Sequence, residues 1–156
     1  VLPDRWVIVA GVKTGLLMRR ALAMLGVSDE QERAALDEAV LALPPTAPSS
    51  LAVTVSGARN DDGVLSLTVG TDDLSPALLM GAILEHGNQE VQRLIEAMDA
   101  VLPPATSTLF TGGWASWASV RAARSRVLPG LEVSQRPQDT AYGAALLARG
   151  LCADPH

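Results

Sequence analysis

The spacing of hydrophobic residues changes along the chain, and the change predicts strands and helices in turn. Residues 6–9 are uniformly apolar, which is typical of a strand that is buried on both faces. From Thr14 the apolar residues recur every three to four positions until Gly26, which predicts a helix that ends at the glycine. A second helix is expected to begin at Ser28 or Asp29, either of which can cap it, and to stop at a proline pair.

The middle of the chain alternates apolar and polar residues in two segments, 51–57 and 63–70, separated by turn-forming residues. Period-two alternation on both sides of such a loop predicts a β-hairpin. Ser75 followed by Pro76 then fits the N-cap and the first position of a long helix. Apolar residues at helical spacing follow, and this helix is expected to continue to the prolines at 103 and 104.

The last third of the chain alternates strand-like and helix-like segments twice. Strands are expected at 106–111 and 131–135, and helices at 116–128 and 139–150. Asp139 is expected to cap the last helix and Gly150 to stop it. A strand-helix series of this kind predicts parallel strands with helices packed over them, so the predicted fold class is α/β.

Composition limits the class of protein. The chain has 156 residues, of which 48% are hydrophobic and 19% are charged, as expected for one globular domain with a single core. No apolar run approaches the roughly 20 residues that cross a bilayer, and no signal-peptide pattern opens the sequence. A cytoplasmic location without a membrane partner is therefore expected.

Charge and cysteine content exclude further classes. The formal net charge of −5 argues against a nucleic-acid partner, because phosphate binding draws on clustered Lys and Arg. The basic run Arg121, Arg124 and Arg126 is interpreted as the solvated face of a helix. The single cysteine, Cys152, excludes a disulfide framework, and two histidines add too little for a metal site.

The glycine pair Gly112-Gly113 stands between a predicted strand and a predicted helix. Bare backbone there would let a nucleotide lie flat against the chain near the positive end of the helix, at the edge where open parallel sheets bind ligands. A tight turn that needs a glycine with positive φ is the simpler explanation of the pair taken alone. The surrounding sequence has neither the third glycine of a dinucleotide fingerprint nor the Gly-Lys-Ser/Thr of a P-loop.

Gly143 and Glu85 each have two explanations. Gly143 lies inside a predicted helix, where glycine costs about 1 kcal/mol relative to alanine. Close packing on a neighbouring helix, which is favoured, or space for a ligand would offset that cost. Glu85 lies beside His86 on an apolar helix segment and is either a buried, hydrogen-bonded structural residue, which is favoured, or a site residue. Spacing supports no Ser-His-Asp or Cys-His arrangement.

Five segments in order resemble the C-terminal domain of the FGGY carbohydrate kinases, the family that includes xylulokinase, gluconokinase and glycerol kinase. These segments are 9–22, 56–70, 78–98, 109–133 and 140–150. The most specific similarity is in the last segment, where the family has Gly-Ala-Ala-hydrophobic-hydrophobic-Ala and this chain has residues 143–148. The resemblance covers nearly the whole chain.

The resemblance implies a fold and a reaction. The family belongs to the actin-like ATPase superfamily, so a ribonuclease-H-like domain is expected, with a mixed sheet and helices packed on it. Residues 1–156 would form most of the nucleotide-side domain of a two-domain kinase, which transfers the γ-phosphate of Mg-ATP to a hydroxyl of a sugar or polyol. The catalytic aspartate, the phosphate loop and the sugar-binding N-terminal domain would lie upstream of Val1. The 156 residues alone are therefore expected to be inactive.

The resemblance also implies cofactor-binding residues. In the family the Gly-Gly turn lies against the adenosine of ATP, which points to Gly112 and Gly113. The residue four positions beyond the second glycine lies near the adenine, and here it is Trp117, which could stack on the base or fill the pocket. In the glycerol kinase branch a glycine and a residue four positions later approach the nucleotide, which points to Gly15 and Arg19. An arginine is a suitable phosphate partner.

Two family patterns are only half kept, so the chain is interpreted as a divergent member. The Glu-Gly of the long helix appears as Glu85-His86, and Gly-Glu-Arg-Thr-Pro appears as residues 57–61. These departures and Trp117 leave open a second function, a nucleotide-binding or regulatory module that has lost catalysis. A third is a structural or assembly domain with an apolar interface. The sugar and the oligomeric state, a homodimer included, stay open.

Overall fold

The protein structure is a computed structural model that describes residues 14–44, 53–57, 65–136 and 138–153. In chain order its elements are α1 (Thr14–Met24), α2 (Glu30–Leu41), β1 (Val53–Gly57), β2 (Leu65–Val69), α3 (Pro76–Asp99), β3 (Thr108–Phe110), a 3-10 helix (Gly113–Ser116), α4 (Ala118–Arg124), β4 (Leu131–Val133) and α5 (Asp139–Ala153). The strand expected at 6–9 and the hairpin loop at 58–63 lie outside the described residues.

The N-terminal caps of α2 and α3 lie where the sequence predicts them. Asp29 caps α2: its Oδ1 accepts the backbone N–H of Glu32 at 2.8 Å, and the Glu32 carboxylate in return accepts the Asp29 N–H at 3.3 Å. Ser75 caps α3, its hydroxyl accepting the N–H of Leu78 at 3.1 Å. Just after α1, Gly26 has a φ of 70°, as expected of a glycine that ends a helix.

The capping box makes the N-terminus of α2 sensitive to pH. Hydrogen bonds from the backbone N–H groups of Ser28 and Asp29 lower the pKa of Glu32, because they stabilise its charged form. A carboxylate whose pKa is lower in the folded state adds stability above its unfolded-state pKa and loses it as the pH falls through the folded-state pKa. Between about pH 5 and pH 3, the free energy of unfolding should therefore fall more in the wild type than in Glu32→Gln.

Urea denaturation at several pH values measures this difference. Glu30→Gln is the matched control, because it removes a carboxylate from the same helical turn and keeps the capping box. The explanation fails if Glu32→Gln and the wild type lose stability in parallel as the solution is acidified.

The strands form two separate pairs within the described residues. β1 and β2 are antiparallel, with Val53 opposite Val69, which confirms the predicted hairpin. β3 and β4 are parallel, with Phe110 opposite Val133, and α4 lies in the connection between them. This arrangement confirms the predicted strand-helix-strand unit. The fold is a small mixed α/β domain.

The hydrophobic core lies between α1, α3, α4 and the hairpin. One face of α1 and one face of α3 are buried, together with Leu36 of α2, Val53 of β1 and Val120 of α4. Full burial of a side chain of this size contributes about 1.5–3 kcal/mol. Phe110, Trp114 and Trp117 are partly exposed and pack against this core. The Gly112-Gly113 turn therefore lies at the edge of the core.

The basic run is not the solvated face that the sequence indicates. Arg124 is only 5% exposed, and its guanidinium donates to Asn88 Oδ1 at 2.7 Å. Burial lowers the pKa of Arg124, because desolvation disfavours the charged form. Gly87 of α3 explains how the side chain fits, since a Cβ there would lie 3.3 Å from Nη2 of Arg124.

The other two arginines of the run also have partners. Arg121 turns back to donate to the carbonyl oxygens of Ala115 and Ser116, at 2.9 and 2.7 Å. Arg126 is exposed and forms an ion pair with Glu85 at 3.0 Å. Glu85 thus has the structural role that is favoured for it, but on the surface of the molecule.

The helices of the last third differ from their predicted bounds. Trp117 has extended backbone (φ −75°, ψ 124°) and separates the 3-10 helix from α4, so 116–128 is not one helix. Asp139 is the first residue of α5, and its carboxylate accepts the Ser134 hydroxyl at 2.8 Å. α5 continues through Gly150 to Ala153, because one glycine inside a helix costs only about 1 kcal/mol.

No residue that the structure describes packs closely against Gly143 of α5. A Cβ added there would meet no heavy atom of the described chain within 4 Å. The neighbouring side chains Tyr142, Leu146 and Leu147 are exposed. Among the described residues no packing partner of Gly143 is present, and the favoured packing explanation stays a prediction.

Candidate functional site

The Gly112-Gly113 turn follows β3 directly and leads into the 3-10 helix. Gly112 has a φ of 96°, which residues with a Cβ rarely adopt, so the backbone itself requires glycine there. Gly113 has no positive φ, and a Cβ added to it would meet no heavy atom of the described residues within 4 Å. Neither backbone conformation nor packing accounts for the second glycine. Its bare backbone is open to close approach by a ligand.

Two tryptophans lie beside the turn. The ring centroids of Trp114 and Trp117 are 5.5 Å apart with an angle of 58° between the planes, a tilted aromatic pair. Both rings are half-buried. Trp114 Nε1 lies 3.3 Å from the position that a Cβ on Gly15 would occupy. The missing side chain of Gly15 therefore lets the indole of Trp114 lie against α1.

The structure brings four of the five sequence-predicted site residues together. Gly112, Gly113 and Trp117 belong to one segment, and Gly15 lies beside the Trp114 ring of that segment. Arg19 follows Gly15 by one helical turn, so the two share a face of α1, and the arginine is exposed to solvent. Their contacts with a nucleotide stay predictions.

Asp37 of α2 closes the N-terminal end of α4. Its Oδ2 accepts the N–H of Ala118 and its Oδ1 accepts the N–H of Ser119, both at 2.8 Å. These are N–H groups that a helix leaves without a partner in its first turn, and the carboxylate compensates the partial positive charge there. An incoming anion would meet the Asp37 carboxylate at this helix end. The turn is suited to an uncharged ring rather than to a phosphate.

Two cavities share Gly113 and Trp114 as part of their walls. The tryptophan cavity, of about 600 Å³, is lined in addition by Glu30, Arg33, Ala34, Asp37, Ser116 and Trp117. The aliphatic cavity, of about 370 Å³, lies among α3, β3 and α4, and Arg124 is the charged residue in its mainly apolar lining. Both volumes fall within the range of small-molecule sites.

Sequence reasoning missed Asp37 and Trp114. Asp37 and its partner Ala118 are 81 residues apart, and nothing in the local pattern of α2 marks this contact. Trp114 could have been found from its place directly after the glycine pair. The resemblance points instead to Trp117, three residues further along.

Among the described residues, no three His, Cys, Asp or Glu side chains lie close enough together to hold a metal ion. Within the same part of the chain no helix combines the length and the hydropathy needed to cross a membrane.

The fold is similar to part of a solved sugar kinase. The xylulose kinase from Rhodospirillum rubrum superposes with a TM-score of 0.62 over 86% of this chain, at 15% sequence identity. No protein-family model and no curated protein matches the sequence. At this identity the likeness shows the fold alone, a mixed α/β domain similar to part of a sugar kinase. The chain spans 29% of the length of that kinase.

Proposed function

We propose that this chain is the nucleotide-side part of an ATP-dependent carbohydrate kinase and contributes contacts to the adenosine of ATP. The whole kinase would transfer the γ-phosphate of Mg-ATP to a hydroxyl of a sugar or polyol. Two findings support this: the similarity to part of a xylulose kinase, and the resemblance of five segments to the FGGY C-terminal domain. The proposal includes a ribonuclease-H-like architecture for the complete domain.

The observation that carries the adenosine contact is the unfilled space at Gly113. A flat base or ribose can lie against this backbone, because a Cβ built on Gly113 would meet no heavy atom of the described residues within 4 Å. Trp117 and Trp114 supply aromatic faces beside this backbone. Stacking of a base on an aromatic side chain is worth about 1–3 kcal/mol. Gly112, Gly113 and Trp117 would therefore hold the adenosine, with Gly15 admitting the Trp114 ring.

The residues of this chain would bind and orient ATP rather than transfer its phosphate. Phosphoryl transfer depends on positioning and on neutralising the charge of the transferred group. Asp37 keeps the phosphates away from the end of α4, and exposed Arg19 is the phosphate partner that we propose. Bound ATP would supply the phosphoryl group. The described residues form no metal-binding cluster, and we assign none of them to Mg²⁺.

Adenosine binding tests the proposal, with Gly113→Ala as the variant. Among the described residues the added methyl group meets no heavy atom within 4 Å, so the free energy of unfolding should change by no more than about 0.5 kcal/mol. The same methyl group would push a ring off the backbone, and we expect the Kd for adenosine to rise about tenfold, or about 1.4 kcal/mol. Isothermal titration calorimetry measures the Kd, and urea denaturation measures the stability.

Gly150→Ala is the matched control, because its Cβ also meets no heavy atom of the described chain and it lies outside the proposed site. Its Kd for adenosine should equal that of the wild type. Failure of the wild-type chain to bind adenosine would contradict the proposal. An unchanged Kd in Gly113→Ala would remove the glycine turn from the site.

A nucleotide-binding or regulatory module without catalysis is the second candidate. The observation that favours it is the position of Trp114, whose indole takes up space beside Gly15, a residue that the resemblance assigns to the nucleotide. Sugar phosphorylation by the longer polypeptide with Mg-ATP would support the kinase. Adenosine binding without phosphorylation of any sugar in a broad panel would support the module.

A further inference from the structure

We infer that the carboxylate of Asp37 selects the base, so that the tryptophan cavity takes a purine with an amino group at C6 in preference to one with a carbonyl there. The inference rests on the proposed function, because a nucleoside must enter this cavity. It adds a specificity-determining residue for the base that the proposed function names.

The first step is that Asp37 presents a fixed acceptor to the cavity. Its two carboxylate oxygens are each held at 2.8 Å by a backbone N–H of α4, which fixes the orientation of the group. An ionised carboxylate has about four lone-pair sites, and these two bonds use two of them. The carboxylate has further lone pairs that can accept hydrogen bonds, and the half-buried Asp37 side chain lines the tryptophan cavity. A donor inside the cavity can therefore bond to Asp37 without displacing α4.

The second step is that the aromatic walls do not choose the base. Trp114 and Trp117 are tilted by 58°, so a flat base can stack on one ring but cannot be sandwiched in parallel between both. Stacking tolerates any base, because every base has a π-face. Discrimination must come from a polar group in the lining.

The third step is the match between Asp37 and the purine edge. Adenine carries an amino donor at C6, whereas guanine and hypoxanthine carry a carbonyl acceptor there. Of the other polar side chains of the lining, the Ser116 hydroxyl donates to the Gly113 carbonyl at 2.8 Å and Arg33 donates to the Ser28 carbonyl at 3.0 Å. Arg33 and Glu30 are exposed to solvent, whereas Asp37 is half-buried and held by two bonds. A fixed carboxylate attracts the amino group and repels the carbonyl. Sites built around such a polar group reject the analogue that lacks it.

The experiment compares adenosine with inosine, which differ in the group at C6, by isothermal titration calorimetry on the full chain. We expect the wild type to bind adenosine at least about tenfold more tightly than inosine. Asp37→Asn should reduce this ratio to about threefold or less, because its amide can donate to the inosine carbonyl. Glu38→Gln is the control, since it neutralises the next acidic residue of α2, which is exposed and does not line the cavity, and it should keep the wild-type ratio.

A third ligand makes the test independent of any variant. N6,N6-dimethyladenosine keeps the purine ring but has no N–H at the amino group, so the wild type should bind it about tenfold more weakly than adenosine. Equal affinity for all three nucleosides would overturn base selection by Asp37 and leave the nucleoside site of the proposed function standing. Absence of binding by all three would overturn both.

Discussion

Replacing Asn88 with alanine is expected to lower the free energy of unfolding by about 3 kcal/mol. Asn88 is 2% exposed and makes two hydrogen bonds of 2.7 Å, donating to the Ala123 carbonyl and accepting from Arg124. Alanine removes both bonds at once. The guanidinium of Arg124 is itself buried, and taking an acceptor from a buried cation costs far more than taking one from an exposed cation.

Urea denaturation measures the effect of Asn88→Ala, with Glu85→Gln as its control. That control removes an exposed polar link between α3 and the arginine run, an ion pair whose side chains are 39% and 60% exposed. An exposed pair of this kind contributes about 0.2–1 kcal/mol. Adding Arg124→Met to Asn88→Ala should recover part of the loss, because it removes the buried guanidinium that has lost its Asn88 acceptor. A loss below about 1 kcal/mol for Asn88→Ala would contradict this account of the core.

Asp37→Ala is expected to lower the free energy of unfolding by about 2–3 kcal/mol. The substitution deletes two charge-assisted hydrogen bonds and leaves the first N–H groups of α4 without them at a half-buried helix end. It also breaks a direct link between α2 and α4. Thermal and urea unfolding measure the loss, and the amide resonances of Ala118 and Ser119 report on the broken bonds.

Glu38→Ala is the matched control for Asp37→Ala, because it truncates the next acidic residue of α2, which is exposed. Its effect should stay within about 0.5 kcal/mol. Asp37→Asn should lie between the two, since one amide oxygen can keep one of the bonds. Equal stability of Asp37→Ala and Glu38→Ala would mean that the carboxylate does not hold α4 in place.

Features determined by neighbours in sequence could be predicted. The caps at Asp29 and Ser75 depend on residues three positions away, and the glycine stop at Gly26 depends on its own φ. The hairpin follows from alternation on either side of a turn-forming loop. These features do not depend on which helices pack against one another.

Features that depend on contacts between elements far apart in the sequence could not be predicted. Charged residues are rarely buried, so Arg124 was expected on the surface, and only the packing of α4 on α3 shows that Gly87 and Asn88 receive it. The candidate site also depends on a contact between elements that are distant in sequence. The resemblance points to Trp117, but the contact of Trp114 with Gly15 joins segments about a hundred residues apart, and spacing does not reveal it.

The bond from Asp37 to α4 also has a consequence for how the domain folds. It joins residues 81 positions apart, and the hairpin and α3 lie within the loop that it closes. The entropy of loop closure has to be overcome before such a contact contributes, so contacts of this separation depend on the rest of the chain having collapsed. The tryptophan cavity, with one wall on α2 and the other beside α4, therefore exists only in the closed domain. A nucleoside bound there would shift the equilibrium of the whole domain toward the folded state, because the unfolded chain lacks the cavity and does not bind the nucleoside.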